Sequence, residues 1–146
     1  MGGILKLSSL LEGQRRGILF VCPRNDSLSQ MAEGFARFLC PADLAVFSAG
    51  CQPQDLAAQT IRAMKEVGID VSGYKSKAIG DVPLDHIAIA IVLCEHEELP
   101  GLPKRVEIMD WPLADPLADA SASDEEKFAS VRNARDRVRE LVSALF

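Results

Sequence analysis

The chain of 146 residues is poor in the features that mark membrane, metal and nucleic-acid proteins. Its longest apolar run, Ile87 to Leu93, is far shorter than the roughly 20 residues of a membrane-spanning helix, so we expect no membrane partner. The formal net charge of −5 disfavours nonspecific binding to nucleic acid. There are two histidines, and the one at position 96, among Glu95, Glu97 and Glu98, has no metal-ligand spacing, so we expect a solvated loop there.

No secretory signal opens the sequence, and we therefore expect a cytoplasmic location and cysteines in the thiol form rather than a disulfide framework. The length suits one domain. We assign residues 1–16 to an N-terminal extension and residues 17–146 to that domain. Cys40 and Cys51 carry no motif and are expected to be structural or incidental.

Apolar segments of strand and helix periodicity alternate along the chain, which is typical of an α/β sandwich with right-handed crossovers. A capping box of Ser123 and Glu126 marks the start of the last helix. The predicted strands are Gly17–Val21, Leu44–Ala49, Ile87–Leu93 and Arg105–Met109, and the predicted helices are Ser29–Leu39, Ala57–Val67 and Asp124–Leu145.

Cys22 lies between the first strand and the first helix, where the helix dipole and unpaired backbone N–H groups stabilise a thiolate or bind an oxyanion. A buried inert thiol is the alternative interpretation. In an open parallel sheet the ligand site lies at the carboxyl ends of the strands, which is where Cys22 falls.

An ordered series of motifs from Gly17 onward resembles the low-molecular-weight tyrosine phosphatase superfamily, and is most similar to its thioredoxin-coupled arsenate reductases. The series is Leu19-Phe20-Val21-Cys22, Asn25, Ser29-Gln30-Met31-Ala32-Glu33-Gly34-Phe35, Phe47-Ser48-Ala49-Gly50, Met64 to Ser72, Leu93-Cys94, Trp111, Asp115-Pro116 and Val131-Arg132. We therefore expect a three-layer sandwich around a four-stranded parallel sheet of order 2-1-3-4.

The resemblance implies a role for three side chains in chemistry on a tetrahedral oxyanion. Cys22 matches the nucleophile, Ser29 the hydroxyl that supports its thiolate, and Asp115 the acid that protonates the leaving group. Asp115 before Pro116 is also an ordinary turn start. Asn25 matches the loop residue whose left-handed backbone turns the N–H groups inward.

The oxyanion loop itself, residues 22–29, departs from the family at three positions. Leu28 stands where a guanidinium would grip two oxyanion oxygens, Pro23 removes a backbone N–H, and Asp26 adds negative charge. Arg24 would compensate only if it folded over the loop, and an outward, solvated side chain is the favoured expectation. Ser27 is the remaining residue of the loop. We expect the loop to bind phosphate, sulfate or arsenate weakly.

The resemblance also implies a redox relay, in which Cys94 matches the second cysteine. Segment 95–103 contains no third cysteine, so the complete relay is absent. A Cys22–Cys94 disulfide, or a mixed disulfide with thioredoxin or glutathione, remains open. A buried strand-end residue is the competing interpretation of Cys94.

Some arsenate reductases hold a potassium ion beneath the loop, with ligands that match Asn25, Glu33 and Ser48. Lys77 occupies a fourth matching position, where its ammonium would replace the ion, although an ordinary surface lysine is the alternative. We expect no metal and no cofactor.

The sequence leaves three functions open. The first is an arsenate reductase or phosphatase relative with weak or redirected activity. The second is a noncatalytic module that binds a protein partner or small ligand through the altered loop. The third is a thiol redox switch of Cys22 with Cys94.

Overall fold

A four-stranded parallel sheet organises the computed structural model, which describes residues 16–94 and 101–146. The strands are β1 (Gly17–Val21), β2 (Ala45–Ala49), β3 (Ile87–Val92) and β4 (Glu107–Asp110). Their order is β2-β1-β3-β4, with every neighbouring pair parallel. The predicted α/β class and strand order are therefore confirmed.

Three α-helices follow the predicted segments closely: α1 (Leu28–Leu39), α2 (Ala58–Glu66) and α3 (Asp124–Ser143). The Ser123–Glu126 capping box forms as expected and begins α3. The largest shifts are of two residues: α3 ends two residues earlier than predicted, and β4 begins two residues later. Arg105 instead donates hydrogen bonds to the carbonyls of Ile87 and Leu84, and the ladder with β3 starts at Glu107.

Alternation along β1 divides the core into two layers. Ile18 and Phe20 point to one face, where they pack with residues of all three α-helices. Leu19 and Val21 point to the other face, which the described residues cover with two short 3₁₀ helices, Ile79–Asp81 and Leu84–His86, and their flanks. In the described residues this second layer therefore consists of 3₁₀ turns rather than α-helices.

The strand register brings the candidate site together. Val21 pairs with Ala49 on one side and with Val92 on the other, so the residues after these three strands emerge at one edge of the sheet. Cys22, Gly50 and Leu93 are those residues. Within the two described ranges, no helix is long and apolar enough to cross a bilayer.

Candidate active site

A cavity of about 340 Å³ opens at this carboxyl edge of the sheet. It gathers residues from the Cys22 loop, from the end of β3 and from the segment after β4. Its lining is Cys22, Pro23, Arg24, Asp26, Leu28, Leu93, Cys94, Leu113 and Asp115. Cys22, Cys94 and Asp115, which are far apart in sequence, therefore meet at one cavity.

The backbone of the loop turns its carbonyl groups away from this cavity. Asn25 has the left-handed conformation expected for it, with φ of 52°. Five successive carbonyls, from residue 23 to residue 27, accept hydrogen bonds from groups around the loop. The donors are the backbone N–H groups of Gln52, Gln54, Ala57 and Met31 and the side chains of Gln30, Thr60 and Ser76. With the carbonyls so engaged, the loop retains the shape of an anion-binding nest.

Gly50 allows β2 to approach this loop. A Cβ atom at position 50 would lie 2.6 Å from the carbonyl oxygens of Cys22 and Pro23 and 2.9 Å from the amide nitrogen of Asn25. All three are backbone atoms, which cannot rotate away. A side chain here is therefore incompatible with the loop in its present position.

The Cys22 thiol sits on a chain of hydrogen bonds. Asn25 Nδ2 donates to Ser29 Oγ at 2.8 Å, and Ser29 Oγ in turn shares a hydrogen bond with Cys22 Sγ, also at 2.8 Å. Ser29 thus lies within hydrogen-bond distance of the sulfur, and its role in supporting the thiolate stays a prediction.

Burial opposes the thiolate. Loss of solvent raises the pKa of Cys22 above its ordinary value, and this effect outweighs the hydrogen bonds from Ser29 and from the amides of Ser29 and Asn25. Nearby Asp26 raises the pKa further. Burial of the Cys22 thiol therefore acts against the thiolate that a helix start would stabilise.

Leu28 forms part of the cavity wall. Its side chain is 3% exposed and packs into the main core cluster. Together with Leu93 and Leu113 it makes that wall apolar. The position from which a guanidinium would reach the bound anion is therefore filled by hydrocarbon.

Arg24 folds over the loop, and the expectation of an outward, solvated side chain is wrong. Its Nε lies 3.2 Å from Asp26 Oδ2, and its Nη2 forms an ion pair with Asp115 Oδ2. Two carboxylates of the chain draw this arginine across the mouth of the cavity. The guanidinium is therefore already engaged by internal anions.

The two carboxylates differ in their surroundings. Burial raises the pKa of Asp26, while the Arg24 charge acts in the opposite direction. Asp115 accepts a hydrogen bond from the Leu117 N–H at 2.8 Å through Oδ1, in addition to its ion pair through Oδ2. Asp115 therefore both caps a turn and faces the cavity, so each interpretation of it has support.

Beneath the loop, Glu33 is buried among donors and cations. Ser48 Oγ donates to its Oε1 at 2.5 Å, and Arg37 Nε donates to its Oε2 at 2.7 Å. Lys77 Nζ lies 3.9 Å from Oε1. Asn25 Oδ1 accepts from the Lys77 N–H and from Gln30 rather than facing an empty space. The cationic side chains of Arg37 and Lys77 thus lie beside Glu33, one of the three residues that match ligands of the suggested ion.

Other predictions from the sequence fall partly outside the described ranges. His96 and its neighbouring glutamates lie in 95–100, and the extension lies almost wholly in 1–15; neither stretch belongs to the described residues. Among residues 16–94 and 101–146, no group of three or more His, Cys, Asp or Glu side chains could hold a metal ion. Cys40 and Cys51 do not line the cavity.

The residues that donate hydrogen bonds to the loop carbonyls were not predicted from the sequence. Thr60, for example, lies inside a helix and reaches Asp26 from 34 positions away. Only Gly50, directly after a predicted strand, carried a usable signal, because a glycine there often marks a close backbone approach.

Comparison with known proteins agrees with this geometry. The family model described as low molecular weight phosphotyrosine protein phosphatase matches residues 17–146. An arsenate reductase of Halalkalibacterium halodurans is 35% identical over 126 residues, which cover 85% of this chain and 90% of that protein. An arsenate reductase of Bacillus subtilis is 36% identical over 123 residues, with 83% and 88% covered.

Solved structures give the same result. An arsenate reductase in its oxidized state has a TM-score of 0.76 at 36% identity, covering 89% of this chain and 95% of its own. An arginine phosphatase from Geobacillus stearothermophilus has a TM-score of 0.70 at 21% identity, with 89% and 90% covered, and shares the fold.

Proposed function

The chain belongs to the low molecular weight phosphotyrosine protein phosphatase family, and we propose that it keeps the family's thiol while turning over tetrahedral oxyanions weakly. Its relatives named arsenate reductases suggest arsenate or a phosphoester as the residual substrate. Cys22 is the nucleophile, Ser29 supports it, and Asp115 is the acid.

One observation carries this proposal: the cavity has no uncommitted guanidinium in the described part of the chain. Leu28 lines the wall, and Arg24 is held by Asp26 and Asp115. An oxyanion must compete with both carboxylates for this arginine. Asp115 is engaged by the same arginine, and this ion pair must open before its carboxyl group can serve a leaving group. Loss of a comparable arginine in phosphoryl transfer costs roughly 10³–10⁵ in rate.

The test is hydrolysis of p-nitrophenyl phosphate and reduction of arsenate by the wild type and by Leu28→Arg. We expect kcat/KM for the phosphoester to rise by about 10³ or more in Leu28→Arg, because a planar fork binds two oxygens at once. Leu28→Lys is the matched control, which adds the charge without the fork and should gain much less.

Equal turnover by the wild type and Leu28→Arg would overturn the proposal. Because Leu28 is buried, folding of each variant is checked by circular dichroism. A second measurement needs no variant: protection of wild-type Cys22 from iodoacetamide by phosphate. We expect none at low millimolar phosphate, and strong protection there would also overturn the proposal.

A second candidate function is a thiol redox switch, because Cys22 and Cys94 line the same cavity. Oxidation would join the two sulfurs with loss of two hydrogen atoms, and thioredoxin or another dithiol would reverse it. Diamide treatment followed by peptide mass mapping tests this. A product with Cys22 linked to Cys94 supports the switch, and linkage only to other cysteines contradicts it.

A further inference from the structure

The cavity beside Cys22 has an apolar interior. Leu28, Leu93, Leu113 and Pro23 supply hydrocarbon to its walls, and Cys22 is the sulfur that reacts there. Its volume of about 340 Å³ exceeds the ~150 Å³ of an apolar cavity that holds benzene. A phenyl-sized substituent therefore fits beside the thiol.

Charge at the mouth of the cavity opposes anions. Among the described residues, the charged side chains in the lining are one arginine, Arg24, and two aspartates, Asp26 and Asp115. Each aspartate is paired with that same arginine, so the group carries one excess negative charge when both are ionised. An anion that enters the cavity is repelled by this excess negative charge and loses its hydration against apolar walls, so its entry is unfavourable.

We propose that this cavity admits an uncharged, apolar small-molecule disulfide, which forms a mixed disulfide with Cys22. The proposal rests on the thiol chemistry assigned to Cys22 above and names its substrate class. It excludes glutathione disulfide, whose several carboxylates face the same repulsion as an oxyanion.

The reaction is a thiol–disulfide exchange. Cys22, after losing its proton to solvent, attacks one sulfur of the incoming R–S–S–R′. A bond forms between Cys22 Sγ and that sulfur, the original S–S bond breaks, and R′–S⁻ leaves with the electron pair and is protonated. Cys22 is oxidised and the departing sulfur is reduced, so the incoming disulfide is itself the oxidant.

The test compares three methanethiosulfonates that transfer a benzyl, a sulfonatoethyl or a trimethylammonioethyl thiol group. They share one electrophile and differ in charge and polarity. Each rate at Cys22 is divided by the rate of the same reagent with the urea-unfolded chain. The thiolate fraction of folded Cys22 is the same for all three reagents, so it cancels from their ratios.

The sequence allows Cys22 to be followed separately from the other cysteines. Cleavage after Arg16 and Arg24 isolates Cys22 in peptide 17–24, while Cys40 and Cys51 share peptide 38–62 and Cys94 lies in 78–104. Neither Cys40 nor Cys51 lines the cavity, so peptide 38–62 is the internal reference for thiols without this selectivity.

We expect the normalised rate at Cys22 to be at least about tenfold higher for the benzyl than for the sulfonatoethyl reagent, given one excess like charge a few ångströms away. Asp26→Asn should narrow that ratio severalfold. Asp43→Asn removes one negative charge at the opposite end of the sheet and should leave the ratio unchanged.

A sulfonatoethyl rate equal to or above the benzyl rate at Cys22 would overturn the proposal. So would a trimethylammonioethyl rate above the benzyl rate, because charge alone would then govern entry. The three-reagent comparison uses the wild type, so misfolding of Asp26→Asn does not affect it. Turnover of p-nitrophenyl phosphate is measured separately, so failure here is distinguishable from failure of the proposed weak oxyanion chemistry.

Discussion

Gly50 offers a direct test of how the Cys22 loop is held. In Gly50→Ala, the new Cβ would lie 2.6 Å from two carbonyl oxygens and 2.9 Å from an amide nitrogen of the loop. The backbone at Gly50 is not in the left-handed region, so the contacts alone oppose the substitution. Either β2 or the loop must move.

The cost follows from these contacts. Forcing an extra methyl group into a packed site costs about 1–3 kcal/mol, and three backbone contacts favour the upper end of that range. Loss of backbone freedom in the unfolded chain returns about 0.4–1 kcal/mol. We therefore expect the free energy of unfolding to fall by about 2 kcal/mol, and Tm by about 4–8 °C for a domain of this size.

Urea unfolding and the rate of Cys22 alkylation are the measurements. Gly73→Ala is the matched control, because a Cβ at position 73 meets no described atom within 4 Å, and its stability should stay the same or rise slightly. Gly50→Ala should also change the alkylation rate, since its contacts fall on the loop around the thiol. A Gly50→Ala protein as stable as the wild type, with unchanged alkylation, would refute the reasoning.

Three further predictions concern the same region. Ser29→Ala should lower the free energy of unfolding by about 1–3 kcal/mol and shift Cys22 alkylation to higher pH. Ser27→Ala is its control and should do neither, because the buried Ser27 hydroxyl has no hydrogen-bond partner among the described residues. The wild type should lose more stability than Cys22→Ala as pH rises past about 9, because the raised pKa keeps folded Cys22 protonated after the unfolded thiol ionises. If the free energies of unfolding in urea fell equally in both proteins between pH 7 and 10.5, this prediction would be contradicted. Tm should be equal in potassium chloride and sodium chloride, because the Lys77 ammonium lies near Glu33. A rise in Tm specific to potassium would contradict the idea that Lys77 replaces a potassium ion.

The sequence was sufficient for the elements that follow from local pattern. The continuous apolar run from Ile87 predicted a buried strand, and a strand running into a helix placed Cys22 at the carboxyl edge of the sheet. Burial of the thiol had no such signal. The helix dipole is visible in a sequence, but the loss of solvent that raises the pKa of Cys22 depends on the packing of the whole loop.

The orientation of the Arg24 side chain also could not be predicted from local sequence. Its two partners are Asp26, two positions away, and Asp115, which is 91 positions away. A local pattern contains the first carboxylate but not the second. An exposed arginine is the usual outcome for a loop residue, and only the meeting of both carboxylates at one cavity overrides it.

Loop shape and anion grip have separate origins in this protein. The shape depends on Asn25, on Gly50 and on donors that bind the outward carbonyls, and none of these contacts involves the side chain at position 28. Leu28 in place of a guanidinium therefore leaves these loop contacts intact and adds hydrocarbon to the wall, and the weak anion binding proposed above would follow from it. Cys22 and Ser29 keep their relative positions, because the contacts that fix the loop backbone also fix these two residues. If the loop binds a dianion weakly, as proposed above, it still presents an oriented thiol, which is the condition that chemistry with an uncharged substrate requires.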